Sequence, residues 1–380
     1  MKRTVILFVL VILLFLEGCA RLGGPAIVRD RFDYSVAVSE SWKTQMLLNI
    51  VKVRYSDTPV FMDVTSVINL VGIQSTVNLA AGWSFPPNAN AQAVGGTTTW
   101  GEKPTITYAP LTGDKFTRSL LTPITPYALL SLVQAGWPVR TLFSLCVKSI
   151  NDMDNQSSAP GFARTEDPQF RKLLGMLEQT QKSGAVGTRI EKKDKQDTAI
   201  VVFRRKTDRE TEERIMETRR MLGLKPESGE FKVIYGAAPT QEGEIAILTR
   251  SIMDIIIELA SQIDVPTEHA AEGRTYATSP EIGEGEGQVP HLLRVHSGRE
   301  KPVESFVAVN NRGFWFWIDD RDRKSKSIFT FLMILLSLAE TGPAPPGPTV
   351  TVPISYHDGF ETFVTKCENP SSQHLTKRPI

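Results

Sequence analysis

The order of apolar and polar residues divides the chain into segments with helical spacing and segments with strand spacing. Over residues 34–55, apolar side chains return at three- and four-residue steps from Val38 to Val53, which predicts an amphipathic helix. The period then changes after Asp57-Thr58-Pro59. Residues 60–68 and 72–85 are rich in Val, Ile and Thr with partial alternation, which predicts two strands.

The same criteria, with capping and turn residues, predict the remaining elements. The segment 86–103, rich in Asn, Ala, Gly and Thr, is expected to be a flexible loop or the tip of a long hairpin. Further helices are predicted over 113–121, 126–135, 138–150, 167–182, 207–222, 249–263 and 323–340. Further strands are predicted over 105–108, 186–192, 198–204, 231–235, 244–248, 291–297, 305–310, 313–318 and 349–354. This order predicts an α+β fold, in which antiparallel sheet segments are interleaved with helices, and the length is compatible with two subdomains.

The first eighteen residues have the pattern of a secretory signal. Lys2 and Arg3 precede about a dozen apolar residues, which is short for a membrane span of ~20 residues. The stretch Leu16-Glu17-Gly18-Cys19 resembles the lipobox of bacterial lipoproteins, although Glu17 replaces the usual small residue. The resemblance implies cleavage before Cys19 and a diacylglyceryl anchor on its sulfur. The alternative is an uncleaved anchor helix.

The chain after the leader divides by composition. Residues 19–31 are expected to form a lipidated tether and 32–265 an α+β domain. Residues 266–289, with the Gly/Glu run 281–287, are expected to form a flexible acidic loop because they contain too little apolar surface to fold. A C-terminal β-rich segment follows over 290–354, and 355–380 is a polar tail. Within the β-rich segment, residues 328–339 are apolar almost all round. This run predicts a buried core helix, with a docking helix for a partner as the alternative.

The overall charge argues against binding of nucleic acid, and the position of the cysteines limits the possible disulfides. The chain has 43 Lys+Arg and 42 Asp+Glu, and removal of the leader leaves equal numbers. A neutral mature chain has no basic excess for nucleic acid, so no nucleic-acid partner is expected. Cys146 lies in an apolar run, which favours a buried, unpaired thiol, and a disulfide with Cys367 is the alternative.

The densest group of candidate functional residues is Phe314 to Lys324. Trp315, Trp317, Asp319 and Asp320 are the candidate binding residues of this group. The spacing fails the calcium-loop pattern, and carboxylates before a helix favour a structural role at its N-terminus. His291 and His296 are five residues apart, which on one strand places them on opposite faces and argues against a shared metal. We therefore predict no catalytic residues, no metal site and no cofactor.

Three segments together resemble a group of long proteobacterial lipoproteins of unassigned function: 53–61, 104–116 and 314–338. The resemblance covers most of the mature chain and implies no activity. The expected function is that of a non-catalytic scaffold or assembly component of the cell envelope. The expected location is the periplasmic side of the outer membrane, with the lipid on Cys19 as membrane contact and an envelope protein as partner. The alternatives are an envelope hydrolase that uses Asp319, Asp320 and His357, and a glycan or small-molecule binder that uses Trp83, Trp100, Trp315 and Trp317.

Overall fold

The computed structural model describes residues 24–81, 92–157, 166–193, 196–203, 208–225, 228–278, 291–339 and 350–353. The chain forms two compact units. The first, here called the body, contains Met1–Phe61 and Leu111–Ala344. The second, here called the strand unit, contains Met62–Pro110 and Pro345–Ile380. The leader with Cys19, the Gly/Glu run 281–287 and the tail 355–380 lie outside the described residues.

The described residues form helices and strands in an interleaved order, as the sequence predicts for an α+β fold. The helices are α1 (Gly24–Arg54), α2 (Gly113–Phe116), α3 (Pro126–Gln134), α4 (Val139–Cys146), α5 (Pro168–Ser183), α6 (Arg209–Met221), α7 (Ile252–Ser261), α8 (Thr267–Ala271) and α9 (Arg323–Ala339). The strands are β1 (Met62–Ala81), β2 (Gln92–Pro110), β3 (Val147–Ile150), β4 (Met153–Asp154), β5 (Val186–Lys193), β6 (Gln196–Phe203), β7 (Glu230–Tyr235), β8 (Glu244–Thr249), β9 (His296–Gly298), β10 (Val307–Asn311), β11 (Phe314–Ile318) and β12 (Val350–Pro353). A π-helical turn over Thr117–Leu121 follows α2.

The centre of the body is a six-stranded sheet in the order β4-β3-β8-β7-β6-β5. Its described pairs are antiparallel except β7 and β8, which run parallel. The connection 236–243 is shorter than the dozen or more residues that a parallel crossover usually needs. Because β7 and β8 run parallel while the other described pairs are antiparallel, the sheet is mixed, whereas the sequence predicted antiparallel segments.

A smaller three-stranded sheet of the body has the order β10-β11-β9. In β11 the residues alternate between buried Phe314, Phe316 and Ile318 and half-buried Trp315 and Trp317. Helix α9 follows, and five of its apolar residues are at most 4% exposed: Ile328, Phe329, Phe331, Leu332 and Leu335. The prediction of a buried core helix is confirmed.

The N-terminal helix begins earlier than the sequence pattern indicates. Helix α1 starts at Gly24, so it includes residues 24–31 of the expected tether. Its last turns bury Met46, Leu47, Ile50 and Val51, which are at most 2% exposed. These residues form one stripe at three- and four-residue spacing, and this stripe is the part of the predicted apolar pattern that is buried in the fold.

Two segments of the body differ from the prediction. The helix predicted over 138–150 stops at Cys146, and β3 begins at the next residue. Asn155 donates to the carbonyl oxygens of Ser144 and Val147, at 2.9 and 2.7 Å, so a side chain satisfies the last carbonyl groups of the helix.

Helix α8 lies inside the loop expected over 266–289, and its His269 is only 4% exposed. That side chain gives the segment a buried contact that its polar composition does not indicate.

The strand unit consists of β1, β2 and β12, in the order β1-β2-β12. The two strands predicted over 60–68 and 72–85 are one strand of 20 residues, β1. It pairs with β2 in continuous antiparallel register from Met62↔Pro110 to Ala81↔Gln92, with one irregularity between Val64 and Ser66. Segment 86–103 was predicted to be either a flexible loop or the tip of a long hairpin, and the described residues agree with the hairpin. The short β12 pairs only with Thr105–Tyr108 of β2.

Candidate functional site

The candidate binding residues of β11 and the following turn have structural partners. The ring of Trp317 lies 5.5 Å from that of His296, between centroids, and the Lys301 ammonium lies 5.5 Å from the ring centre of Trp315. Both indoles are half-buried against their own sheet. Each indole therefore has a contact within the body that accounts for its position without a ligand.

The carboxylates of the same segment build the turn before α9. Asp319 accepts a hydrogen bond from the backbone N–H of Arg321 at 2.7 Å, and Asp320 forms an ion pair with Lys326 at 2.7 Å. Asp322 accepts from the backbone N–H and the hydroxyl of Ser325, at 3.0 and 2.6 Å. Burial opposes its ionisation, but these hydrogen bonds hold the pKa of Asp322 below its usual value. Asp322 thus caps α9, as carboxylates before a helix predict.

Several predicted residues cannot be placed. Cys19, Trp83, His357 and Cys367 lie outside the described residues, and so does the side chain of Trp100. Cys146 is described as a free cysteine, fully buried at the end of α4. Burial raises the pKa of the Cys146 thiol to about 12, so it is an inert thiol at neutral pH.

A buried polar pair lies where α1 meets α8. The hydroxyl of Tyr55 is 2.7 Å from Nδ1 of His269, and the two residues are 5% and 4% exposed. Phe314 and Phe316 pack edge-on against this pair. Burial lowers the pKa of His269, so the imidazole is neutral in the folded protein near neutral pH. The pair is enclosed by aromatic rings, which indicates a role in stability.

A cleft of the body, here called the arginine cleft, is lined by several charged side chains. It has a volume of about 770 Å³ and lies between the N-terminal turns of α4 and α9, helix α5 and the segment before α7. Its cationic lining residues are Arg140, Arg171, Arg250, Arg323 and Lys324, and its acidic lining residues are Glu166 and Glu258. The lining is therefore strongly positive although the whole chain is almost neutral.

Arg250 is the structural centre of the cleft. It is 3% exposed, and its guanidinium donates to the carbonyl oxygens of Ser144 and Leu145 at 3.0 Å each, and to that of Gln156. Glu258 lies 3.8 Å away and is also 3% exposed. Burial lowers the pKa of Arg250 while Glu258 opposes that shift, and an arginine stays protonated at neutral pH. Arg250 ties α4 to the segment before α7.

Arg140 and Arg171 stand on facing helices at the wall of the cleft. Arg140 donates through Nε to Glu178, and Arg171 through Nε to Glu166, at 2.6 Å each. A Cβ at Gly175 would lie 3.2 Å from Nη2 of Arg140, which explains a glycine inside α5, where it costs ~1 kcal/mol relative to alanine. The glycine lets the Arg140 guanidinium lie close to α5.

Arg323 and Lys324 enter the cleft from the first turn of α9. Lys324 donates to the carbonyl oxygen of His291 at 2.7 Å. Arg323 is exposed, and its guanidinium has no acidic partner among the described residues. Ser327 and Ile328 extend the wall by one helical turn.

A second cavity, of about 410 Å³, lies between helices α3–α5 and the six-stranded sheet. Its walls are mostly apolar, with Leu130, Phe143 and Phe203 among them. The polar Gln181 is satisfied by the protein, since its amide donates to Trp137 and accepts from the N–H of Val139, at 2.7 and 3.0 Å. This cavity is part of the core between helices and sheet.

The strand unit presents a long strand edge. In the described residues, β1 pairs on one side only, with β2. From Val64 to Ala81 the sequence contains no Asp, Glu, Lys, Arg or Pro. Natural edge strands usually carry such residues because an unprotected edge of backbone N–H and C=O groups pairs with other strands. By contrast, β2 carries Glu102-Lys103-Pro104.

Sequence reasoning predicted the capping carboxylates and missed the arginine cleft and the strand edge. The cleft residues are separated by tens of residues along the chain, so no local spacing indicates them. The lack of charge over Val64–Ala81 was visible in the sequence, but only the pairing order shows that this strand is an edge.

Among the described residues, no three His, Cys, Asp or Glu side chains are grouped to hold a metal ion. None of the described helices combines the length and the hydropathy that crossing a bilayer requires. Comparison of the chain with protein-family models, curated proteins and solved structures finds no match.

Proposed function

We propose that this chain is a lipoprotein anchored through Cys19 to the periplasmic side of the outer membrane. The proposal is supported by the lipobox Leu16-Glu17-Gly18-Cys19, and Ala20 at the next position favours the outer over the inner membrane. Two or more acyl chains give stable membrane binding, whereas one chain is marginal. In the native host, Cys19→Ala should abolish acyl-chain labelling and release the protein from membranes. Labelling that persists in this variant would contradict the proposal.

The proposed role is that of a non-catalytic assembly component of the cell envelope. The observation that carries it is the uncharged outer edge of β1. At ~3.4 Å per residue, a strand of this length extends roughly 65 Å, and its unpaired backbone groups form a template for a further strand. Addition of a strand to such an edge is a known mode of protein recognition.

The proposed occupant of this edge is β1 of a second copy of the chain. Two such edges are self-complementary, because antiparallel strands related by a two-fold axis exchange the same hydrogen bonds in both directions. They match in length, and from Val64 to Ala81 neither carries a charge that would repel the other. The result is a continuous six-stranded sheet from two strand units.

The test is co-purification of two differently tagged full-length copies, extracted from membranes in mild detergent. Wild-type copies are expected to co-purify. The double variant Gln74→Lys/Thr76→Lys places two charges in the middle of the β1 edge, which the added strand would cover, and is expected to reduce the recovered partner at least about tenfold.

The matched control is Thr97→Lys/Thr99→Lys. These residues are the register partners of Thr76 and Gln74 on β2, so the charges lie one strand further from the proposed contact. Recovery in the control is expected to remain near the wild-type level. Failure of wild-type copies to co-purify, or equal loss in both variants, would overturn the proposed pairing.

A further inference from the structure

We propose that the arginine cleft binds a small molecule that carries a phosphate group. The cleft volume of about 770 Å³ falls within the range of small-molecule sites, roughly 300–1,000 Å³. Among the described residues, its lining contains five cationic and two acidic side chains. A concave site with one dominant sign of charge concentrates ligands of the opposite sign.

The cations of the cleft fall into two groups by their partners. Arg250 donates to main-chain carbonyl oxygens at 3.0 Å, and Arg171 donates at 2.6 Å to Glu166, which itself lines the cleft. These two arginines hold the walls in place, whereas the partner of Arg140, Glu178, is not a lining residue. Arg140 is bonded to Glu178 through Nε, one of the five donors of a guanidinium. Arg323 has no ion pair among the described residues. Arg140 and Arg323 are therefore assigned as the groups that contact the ligand.

The chemistry of these groups favours a phosphate. Two guanidinium groups present planar pairs of N–H donors that match the oxygens of phosphate in bidentate geometry. Both stand in the first turns of helices, α4 and α9, and the N-terminal end of a helix adds positive potential. A dianionic phosphate balances more of the positive lining than a single carboxylate does.

The apolar lining residues indicate that the phosphate is one end of a larger molecule. Pro138, Leu174, Leu292 and Ile328 line the same cleft. They provide a surface for the organic part of a phosphate monoester, which inorganic phosphate lacks. A phosphate monoester should consequently bind more tightly than inorganic phosphate.

The test is isothermal titration calorimetry of the full chain with inorganic phosphate and with glycerol 3-phosphate, at ionic strength held constant with chloride. Saturable binding is expected for both, with the tighter constant for the ester. The double variant Arg140→Gln/Arg323→Gln is expected to weaken both at least about tenfold, since it removes the two guanidinium groups that contact the phosphate. The control Arg209→Gln removes an exposed arginine that does not line the cleft, and its affinity should be unchanged.

Absence of saturable binding in the wild type would overturn the proposal, and so would an unchanged constant in the double variant. Because Arg140 and Arg323 are substantially exposed, circular dichroism should confirm that the double variant is folded. This inference concerns the body and is independent of the strand pairing. Loss of phosphate binding would leave co-purification intact, and loss of co-purification would leave phosphate binding intact.

Discussion

Replacement of Arg250 by methionine should be among the most damaging single changes in the body. Methionine keeps an unbranched side chain of similar length and removes the guanidinium. Three main-chain carbonyl oxygens then lose a charged donor, and the carboxylate of Glu258 loses its cation 3.8 Å away. Both charged residues are 3% exposed, so water can replace few of the hydrogen bonds and little of the ion pairing that the substitution removes.

The size of the effect follows from these partners. Removal of one member of a buried ion pair costs ~3–5 kcal/mol, and hydrogen bonds to a charged group contribute ~1.5–3 kcal/mol each. The arginine cleft borders Arg250, so water can reach part of the site, and we expect a loss of about 3–4 kcal/mol in the free energy of unfolding. At ~2–4 °C per kcal/mol for a large domain, Tm should fall by roughly 10 °C.

The assay is urea unfolding followed by circular dichroism, with calorimetry for Tm. A second variant, Arg250→Met/Glu258→Gln, also removes the buried negative charge and should recover about 1 kcal/mol or more of the loss. The control Arg209→Met removes an arginine whose side chain is 93% exposed, and should change stability by less than ~0.5 kcal/mol. A loss below 1 kcal/mol in Arg250→Met, or a double variant less stable than the single, would refute the reasoning.

Four further predictions concern other side chains of the body. Burial lowers the pKa of His269 in the folded protein, so on acidification the unfolded chain protonates this residue before the folded chain does. The free energy of unfolding should therefore fall as pH drops below ~6.5. The variant His269→Gln should flatten this pH dependence in unfolding measurements. Tyr55→Phe should cost ~1–2 kcal/mol in urea unfolding, because it leaves the buried imidazole without its partner at 2.7 Å. The thiol of Cys146, with its pKa raised to about 12, should resist iodoacetamide in the native protein and react after unfolding; rapid native alkylation on peptide mapping would contradict its burial. Asp322→Ala should cost ~1 kcal/mol by loss of a helix cap, against less than ~0.5 kcal/mol for Asp320→Ala, measured by thermal unfolding.

The sequence predicted those parts of the fold that depend on neighbouring residues. Helix α3 starts where Thr125 and Pro126 indicate, and the Thr125 hydroxyl does accept from the N–H of Ala128. Helix α5 ends at Gly184 with φ of 65°, a conformation that glycine adopts without strain. The positions of strand β11 and of helix α9 were also predicted to within one residue. In each case the determining residues lie within one or two turns of each other.

Features that depend on distant residues could not be predicted in the same way. The end of α4 is fixed by Asn155 and Arg250, the second of which lies more than a hundred residues further along the chain. The start of α7 is a partial exception. Ser251 and Asp254 form a capping box, a local signal that could have corrected the start predicted at residue 249. The arginine cleft had no local signal, because its residues come from four separate helices or their ends.

The end of α1 has a consequence for the order in which the body can fold. Arg54 donates to the carbonyl oxygens of Ser261 and Tyr276, and Nη2 of Arg312 contacts both carboxylate oxygens of Asp57. The helix nearest the proposed anchor is therefore completed by residues more than two hundred positions later in the chain. Contacts of such long sequence separation slow folding and leave apolar surface exposed while a nascent chain waits for them. Helix α1 also packs against α7 and β10, so its stripe with Leu47 and Ile50 lacks these partners until most of the chain has been synthesised.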